Sequence, residues 1–272
     1  GGSALGLYLI LQDMDPKLEP LSPENILLFS VSPFPGLPFS GTSRVTVTTK
    51  SPLTGTIGDS QAGGFFPVHL KANGWDSIIF RGKSDKPVYL YIDGDNIEIK
   101  DAQNIWGKVT GEAEEIIRKE LNEEKIEIAQ IGPGGENLVK YASIINMCNR
   151  ANGRNGTGAV MGSKNLKAIV VKKGKGLKPY NVEKFNEFSK RVVKMIEENP
   201  NISGLGEHGT NGDLEEFSQD GFLPTKNWTT GYFPEGATNI TGTTMTETIL
   251  KKRDTCYGCA VRCKRVVEVP EV

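Results

Sequence analysis

The order of apolar and polar positions up to about residue 175 predicts short strands mixed with helices. Apolar residues cluster over Ile26–Val31, and Val alternates with Thr over Arg44–Thr49, as is typical of strands. Val88–Ile92 and Ile97–Lys100 flank a turn at Gly94, which predicts a β-hairpin. The same criteria predict strands over 76–81, 126–131 and 167–172, and helices over 5–14, 63–72 and from residue 110, with Thr110 as the helix cap.

The pattern changes near residue 178, where Gly174, Gly176 and Pro179 indicate a linker. Beyond it, Asn181 is expected to cap a long amphipathic helix, and few strand patterns follow. We therefore predict an α+β domain over residues 1–178 and the beginning of a mostly helical domain over residues 179–272.

Composition and charge argue against several classes of protein. Hydrophobic residues make up 37% and charged residues 24% of the 272-residue chain, as in globular proteins. The net charge of −1 gives no reason to expect a nucleic acid or a membrane as partner, and no apolar run is long enough to span a bilayer. The chain has neither an initiator Met nor a signal-peptide pattern, so we expect an internal fragment of a cytoplasmic protein.

Three of the four cysteines, Cys256, Cys259 and Cys263, lie within eight residues in a CxxCxxxC pattern. A CxxC turn brings two thiolates towards one metal centre, and a third thiolate nearby suits a [4Fe–4S] cluster with one remote ligand. A partial zinc site and buried structural cysteines stay open, although no second CxxC or His pair follows. Cys148 is a candidate fourth ligand, but a free, partly buried thiol is the better interpretation.

Two segments combine arginine with small residues, a combination that suits phosphate recognition. The first joins Arg44 to 58–64 across a turn, and the second is 149–158; both are expected to be loops. Glycine lets the backbone touch a ligand, and guanidinium groups bind phosphate in a bidentate manner. Neither segment matches a P-loop or a dinucleotide fingerprint, and each alone is compatible with an ordinary turn. The lysines that follow, between Lys164 and Lys178, are expected to form an exposed edge or to help hold an anion.

Taken in order, these features resemble the aldehyde ferredoxin oxidoreductase family. The resemblance covers essentially the whole chain and ends with the CxxCxxxC pattern at the place where the family has it. The segments that carry it are Met14-Asp15-Pro16, Leu21-Ser22-Pro23-Glu24-Asn25, Thr49-Lys50-Ser51-Pro52-Leu53-Thr54-Gly55, Gly135-Glu136-Asn137-Leu138-Val139 and the run Gly158–Ala168.

The resemblance implies an N-terminal domain of two β-sheets with flanking helices, here without its first strand region, and helical domains after it. On the sheets lies a tungsten- or molybdenum-bis(pyranopterin) cofactor with a bridging Mg²⁺, held by backbone oxygens near Gln61 and at Ala151. Cys256, Cys259 and Cys263 match three ligands of a [4Fe–4S] cluster, and the fourth lies further along the chain in the family. The pterin contacts that it implies are Arg44, Gln61, Ala62, Gly63, Arg150, Ala151, Gly153 and Arg154.

The implied activity is the oxidation of a small aldehyde to a carboxylic acid, with ferredoxin or a similar carrier accepting the electrons. We expect no catalytic residue in these 272 residues and little activity from them alone; a homo-oligomer is compatible with the resemblance. The alternatives are another substrate, such as an aromatic thioester, and a non-catalytic electron-transfer or scaffold subunit. A zinc-containing nucleic-acid-binding domain is disfavoured by the near-neutral charge.

Two positions depart from the family pattern. Gln61 stands where Asn is expected, and His69 stands where the family usually has Glu. A backbone oxygen as the Mg²⁺ ligand would tolerate Gln61. His69 is compatible with a branch of the family that has a different substrate, but a lone His is more often structural than catalytic, so it is given no role.

Overall fold

The computed structural model describes residues 1–269, and the chain divides into two compact units. The first unit contains residues 1–37 and 42–180; the second contains residues 38–41 and the chain from Asn181 onwards. The sequence places the domain boundary after residue 178, and the roles assigned to the two parts stay predictions. Within residues 1–269, no helix is long and apolar enough to cross a membrane.

The first unit is a mixture of strands and helices, which confirms the predicted α+β class. Its strands are β1 (Leu27–Val31), β2 (Val45–Lys50), β3 (Ile57–Ala62), β4 (Ser77–Phe80), β5 (Val88–Asp93), β6 (Asn96–Asp101), β7 (Ile126–Gln130), β8 (Ile144–Asn146), β9 (Arg150–Asn152) and β10 (Leu166–Lys172). Its helices are α1 (Gly2–Asp13), α2 (Phe66–Ala72), α3 (Thr110–Leu121), α4 (Pro133–Glu136) and α5 (Thr157–Ser163).

The strands of the first unit form two sheets, as the family resemblance implies. The 4-stranded sheet has the order β3-β2-β1-β4, and each neighbouring pair is antiparallel. The 6-stranded sheet has the order β6-β5-β10-β7-β8-β9. Its central strand β10 runs parallel to β5 and antiparallel to β7.

The main apolar core joins residues of both sheets. Phe29 of β1 and Ile169 of β10 belong to it, together with side chains of α2 and α5. Successive side chains of a strand face opposite sides, so Leu28 packs with Ile10 of α1, while Val170 packs with Ile117 of α3. Burying each such side chain contributes about 1.5–3 kcal/mol, which makes this layered arrangement the main source of stability.

Helix α3 begins differently from the prediction. Val109, which has an extended backbone, is the residue before the helix, and Thr110 is already its first helical residue. Among residues 1–269, no side chain caps the start of this helix. The carbonyl of Thr110 accepts a hydrogen bond of 3.0 Å from Nε2 of Gln130 in β7, which attaches this end of the helix to the sheet. The prediction that Thr110 caps α3 is therefore wrong by one position, because the helix end is set by packing on β7 rather than by a local cap.

Glu127 makes the stability of the first unit depend on pH. It lies in β7 opposite Val171 of β10, and burial raises its pKa from an ordinary 4.5 to about 7. Because the folded state holds this proton more tightly than the unfolded chain, the free energy of unfolding falls as the pH rises through that window. We expect Glu127→Gln to match the unmodified protein near pH 4.5 and to be about 3 kcal/mol more stable at pH 8, measured by urea denaturation. An equal difference at both pH values would contradict this expectation.

The second unit is mostly helical among the residues that the structure describes. Its helices are α6 (Val182–Glu198), α7 (Pro200–His208), α8 (Leu214–Gln219), α9 (Pro234–Ala237) and α10 (Gly242–Thr248), and its strands are β11 (Leu250–Asp254) and β12 (Lys264–Val267). Asn181 caps α6 as predicted, since its Oδ1 accepts from the backbone N–H of Lys184 at 2.9 Å. The antiparallel pair β11–β12 was not predicted, and it carries the cysteine segment.

Candidate functional site

Strands β2, β3 and β9 bring the two arginine-and-glycine segments together. Arg44 immediately precedes β2, whose first residue Val45 pairs with Ala62 at the end of β3. Asn152 in β9 donates from Nδ2 to the carbonyl oxygen of Ser60 at 2.6 Å and more weakly to that of Val45 at 3.4 Å. Strand β9, an edge of the 6-stranded sheet, is therefore fastened to the 4-stranded sheet.

Further hydrogen bonds fix the segment after β9 along β3. The backbone N–H of Arg154 donates to Oγ of Ser60 at 3.0 Å, and Nδ2 of Asn155 donates to the carbonyl oxygen of Asp59 at 2.8 Å. Gly58 has no side chain at the point where Asn155 crosses; a Cβ there would lie only 2.6 Å from the Asn155 Cβ. The guanidinium-bearing residues Arg44 and Arg154 thus belong to one surface region and are both exposed.

Gly64 lies against the turn that leads into the second segment. Its φ of +108° is a conformation that side chains rarely adopt, and a Cβ would overlap Oδ1 of Asn146 and lie 3.0 Å from Sδ of Met147. Oγ of Ser43 donates to the Gly64 carbonyl, and the Phe65 N–H donates to Met147 Sδ at 3.3 Å. The turn after β3 is therefore closed against the turn between β8 and β9.

Asn146 is an unsatisfied polar group at this junction. It is 1% exposed, and within residues 1–269 neither its side-chain oxygen nor its nitrogen has a hydrogen-bond partner. Leaving a buried polar group unpaired costs about 1–3 kcal/mol, so such groups point to a missing partner. Arg150, 5% exposed, lies beside it and donates to Oδ1 of Asn149 at 2.8 Å.

We call this region the cradle: residues 43–45 and 58–64, together with residues 146–155, which run from the end of β8 through β9 to the segment after it. The predicted contact residues Arg44, Gln61, Ala151, Gly153 and Arg154 are exposed on it, whereas Ala62, Gly63 and Arg150 are buried beneath. Its composition fits an anionic, phosphate-bearing ligand, because it offers guanidinium groups, close backbone approaches and an unpaired amide. Nε2 of Gln61 donates to Oγ of Ser3 at 3.0 Å.

The description of both segments as loops is wrong in part. Gln61 and Ala62 end strand β3, and Arg150-Ala151-Asn152 is strand β9. Residues 57–62 are rich in Gly, Ser and Asp, which have low strand propensity, so they form a strand because β2 offers a continuous register from Lys50 to Val45. The sequence contains no local signal for that pairing.

His69 has a structural explanation. It lies in α2, and its Nδ1 is 3.2 Å from the carbonyl oxygen of Val171 in β10. Burial lowers the pKa of His69, which favours the neutral imidazole. Asn73 in the same region donates from Nδ2 to the carbonyl oxygen of Lys172 at 2.7 Å. Both side chains attach α2 to the 6-stranded sheet.

The three clustered cysteines lie in the connection between β11 and β12. All are free thiols of intermediate burial. The backbone N–H of Cys259 donates to the Cys256 carbonyl at 3.2 Å, Gly258 has φ +62°, and Oγ1 of Thr255 donates to the Cys259 carbonyl at 2.7 Å. This is a tight turn with the thiols on it, as an iron–sulfur ligand loop requires.

Within residues 1–269, no three His, Cys, Asp or Glu side chains are arranged around a point where a single metal ion would bind. A cubane cluster does not need such a point, because it spreads its thiolate ligands over separate iron atoms. Whether the cysteine segment fits an iron–sulfur cluster therefore depends on its three sulfur donors and on the turn that carries them. Six arginine and lysine side chains of the hairpin add positive charge to this thiol-rich segment: Lys251, Lys252, Arg253, Arg262, Lys264 and Arg265.

Cys148 differs from the other three cysteines. It lies in the first unit, between β8 and β9, and the residue is exposed rather than partly buried as predicted. Its Sγ donates to Oε2 of Glu114 at 3.2 Å. Desolvation of the sulfur, followed by this hydrogen bond, raises the pKa of the Cys148 thiol to about 11, which keeps it protonated.

Comparisons with known proteins agree with these features. Residues 1–173 match the N-terminal domain of aldehyde ferredoxin oxidoreductase, and residues 187–272 match domains 2 and 3 of the same family. The tungsten-containing aldehyde ferredoxin oxidoreductase of Pyrococcus furiosus is 44% identical over 100% of this chain and 45% of that protein. The aliphatic sulfonate oxidoreductase WOR-like subunit of the same organism is 34% identical over 98% of this chain and 44% of the subunit.

A solved structure shares the fold. It is the BamBC active-site complex of benzoyl coenzyme A reductase with 1,5-dienoyl-CoA, which superimposes with a TM-score of 0.83 at 33% identity over 100% of this chain and 43% of that chain. The chain thus spans less than half the length of the relatives it matches. With both family matches and the identity along its whole length, the chain belongs to the aldehyde ferredoxin oxidoreductase family.

Proposed function

We propose that this chain is the cofactor-holding part of an oxidoreductase that converts aldehydes to carboxylic acids and passes the electrons to ferredoxin. Membership of the family and the 44% identity to a tungsten-containing aldehyde ferredoxin oxidoreductase support this proposal. The observation that carries it is the closure of two arginine-and-glycine segments around the buried, unpaired Asn146.

In the cradle, Arg44 and Arg154 would bind the phosphates of a bis(pyranopterin) cofactor. Gly64 would act indirectly, because its missing side chain lets the turn after β3 close against Asn146 and Met147. Backbone oxygens near Gln61 and at Ala151 would hold a bridging Mg²⁺, a hard cation that prefers oxygen ligands. A backbone ligand makes the side chain at Gln61 unimportant for the metal. When bound, the tungsten or molybdenum centre supplies two-electron redox chemistry, and the protein positions it.

Cys256, Cys259 and Cys263 would hold three corners of a [4Fe–4S] cluster, with the fourth ligand from the part of the protein beyond this chain. When bound, such a cluster supplies one-electron transfer, which suits a ferredoxin-type acceptor. The cations of the β11–β12 hairpin would favour an acidic electron carrier as partner.

A second candidate is the reduction of an aromatic thioester, because the superimposed benzoyl coenzyme A reductase complex shares the fold over this entire chain. Aldehyde oxidation is favoured because the chain is 44% identical to the aldehyde ferredoxin oxidoreductase but 33% identical to the benzoyl coenzyme A reductase complex. Assays of the full-length protein with aldehydes and a viologen dye, and separately with benzoyl-CoA, decide between them. Turnover of benzoyl-CoA without aldehyde oxidation would overturn the first proposal.

The cradle is tested by Gly64→Ala in the full-length protein, purified anaerobically. We expect the unmodified protein to contain tungsten or molybdenum and about four iron atoms per chain. Gly64→Ala should lose most of the tungsten or molybdenum, because the new Cβ pushes Asn146 and Met147 out of place.

Gly74→Ala is the matched control for this experiment. Gly74 also has a positive φ, +88°, but a Cβ there meets no atom of the described part of the chain within 4 Å. The backbone strain is similar in both variants, so they differ only in whether the new Cβ collides with neighbouring side chains. Equal metal content in the two variants, or zinc as the sole metal of the unmodified protein, would contradict the proposed cradle.

A further inference from the structure

Arg265 fastens the cysteine loop to the end of a helix. It lies in β12, and its Nη2 donates to the Gly206 carbonyl at 2.6 Å and to the Arg262 carbonyl at 2.9 Å, while Nη1 donates to the Glu207 carbonyl at 3.0 Å. Gly206 and Glu207 belong to the last turn of α7, where carbonyl groups lack helical partners and attract cations. Arg262 immediately precedes Cys263, so one guanidinium joins the helix to the residue before the third cysteine.

Among the described residues, no carboxylate pairs with the charge of Arg265. All three of its hydrogen-bond acceptors are backbone carbonyls, and no ion pair involves it within residues 1–269. Its Nε is buried without a hydrogen-bond partner among the same residues. The ion pair of this hairpin, Lys251 with Glu268 at 2.6 Å, lies at the opposite end of the strands from the cysteines.

Arg265 is electrostatically coupled to the cysteine segment. Burial, and after it the neighbouring Arg253, lowers the pKa of Arg265, whereas Cys263 acts in the opposite direction. Lys252, on the paired strand β11, is exposed, so water and salt screen its charge. A partly desolvated charge acts more strongly on a nearby redox centre than a solvated one does.

We propose that Arg265 sets the reduction potential of the cluster bound by Cys256, Cys259 and Cys263. Reduction adds one electron, and therefore one negative charge, to the cluster. The fixed positive charge beside Cys263 stabilises that reduced state and raises the potential. Arg265 is a positioning and tuning residue, and this inference depends on the iron–sulfur cluster of the proposed function.

The test measures the reduction potential of the cluster in the full-length protein, purified anaerobically. The protein is titrated with dithionite, and the reduced cluster is followed by electron paramagnetic resonance. In Arg265→Gln, which keeps an amide donor but loses the charge, we expect the ratio of reduced to oxidised cluster at a fixed potential to fall about tenfold. For a one-electron couple this is a shift of about 59 mV to lower potential.

Two further variants separate charge from structure. Arg265→Lys keeps the charge but loses the forked geometry, so it should lower the melting temperature while the potential stays unchanged. Lys252→Gln removes an equal but exposed charge and should leave the potential unchanged. Equal shifts of the potential in Arg265→Gln and Lys252→Gln would overturn the proposal. If Arg265→Gln does not fold, a tenfold change in the reduced-to-oxidised ratio of Arg265→Lys would still overturn it.

The iron content distinguishes a failure of this inference from a failure of the proposed function. Unmodified protein without iron would overturn both. Normal iron content with an unchanged potential in Arg265→Gln would overturn only the role of Arg265.

Discussion

Replacing Glu136 by Gln is expected to destabilise the first unit by about 4 kcal/mol, because it removes the counterion of a buried ammonium group. Lys167 in β10 is 0% exposed, and its Nζ donates to Oε1 of Glu136 and, at 2.8 Å, to the Lys108 carbonyl. Oε2 of Glu136 also accepts from the Gly107 N–H at 2.7 Å. Burial lowers the pKa of Lys167, the direction expected for a cation removed from water. Urea denaturation at neutral pH measures the loss.

The double variant Lys167→Met with Glu136→Leu is the control for this prediction. Apolar side chains of similar size need no counterion, so the pair should recover most of the stability that Glu136→Gln loses. The stabilities of the single and double variants together give the coupling free energy between the two charges. A Glu136→Gln protein as stable as the unmodified one would show that Lys167 does not depend on this carboxylate.

Replacing Cys259 by Ala is expected to abolish iron binding in the full-length protein. Its thiol lies in the centre of the CxxCxxxC loop, and a cluster with two local ligands is not retained. Iron analysis and visible absorption after anaerobic purification should show a fall from about four iron atoms per chain to nearly none.

Cys148→Ala is the matched control, and it is expected to keep its iron. Cys148 lies in the first unit, where its protonated thiol donates to Glu114. Loss of iron in this variant would instead make Cys148 the fourth ligand. An iron content unaffected by Cys259→Ala would remove the cluster from the β11–β12 hairpin.

The parts of the fold that were predicted from sequence are those with a local signal. The turn at Gly94 predicted the β5–β6 hairpin, and the side chain of Asn181 predicted the start of α6. Strands β3 and β9 and the β11–β12 hairpin were missed, because their pairing is determined by neighbouring strands rather than by their own composition. Tertiary contacts of this kind leave no periodic pattern in the chain.

Two of the lysines expected at an exposed edge or at an anion are buried instead. Lys164 is 4% exposed and donates to the carbonyls of Pro23 and Gly82, and Lys167 pairs with Glu136. A run of lysines usually indicates a solvated surface. These two are buried because hydrogen-bond acceptors from distant parts of the sequence surround their ammonium groups.

The candidate site was predicted mainly from the family resemblance, and its contact residues stay predictions. What the structure adds is their proximity and Asn146, which sequence reasoning passed over. Asn146 follows Ile144 and Ile145, and a polar residue at the end of an apolar stretch was the available signal. The unpaired state of its amide becomes visible only when Gly64 lies against it.

The attachment of β9 to both sheets has a consequence for the assembly of the enzyme. Asn152 and Val45, which this strand joins, are 107 residues apart in sequence, so their contact forms only after most of the first unit has been made. Neither sheet alone presents both guanidinium-bearing segments. Under the proposed function, a nascent chain would not capture the pterin early, and insertion of the cofactor would follow the docking of the sheets as a late maturation step.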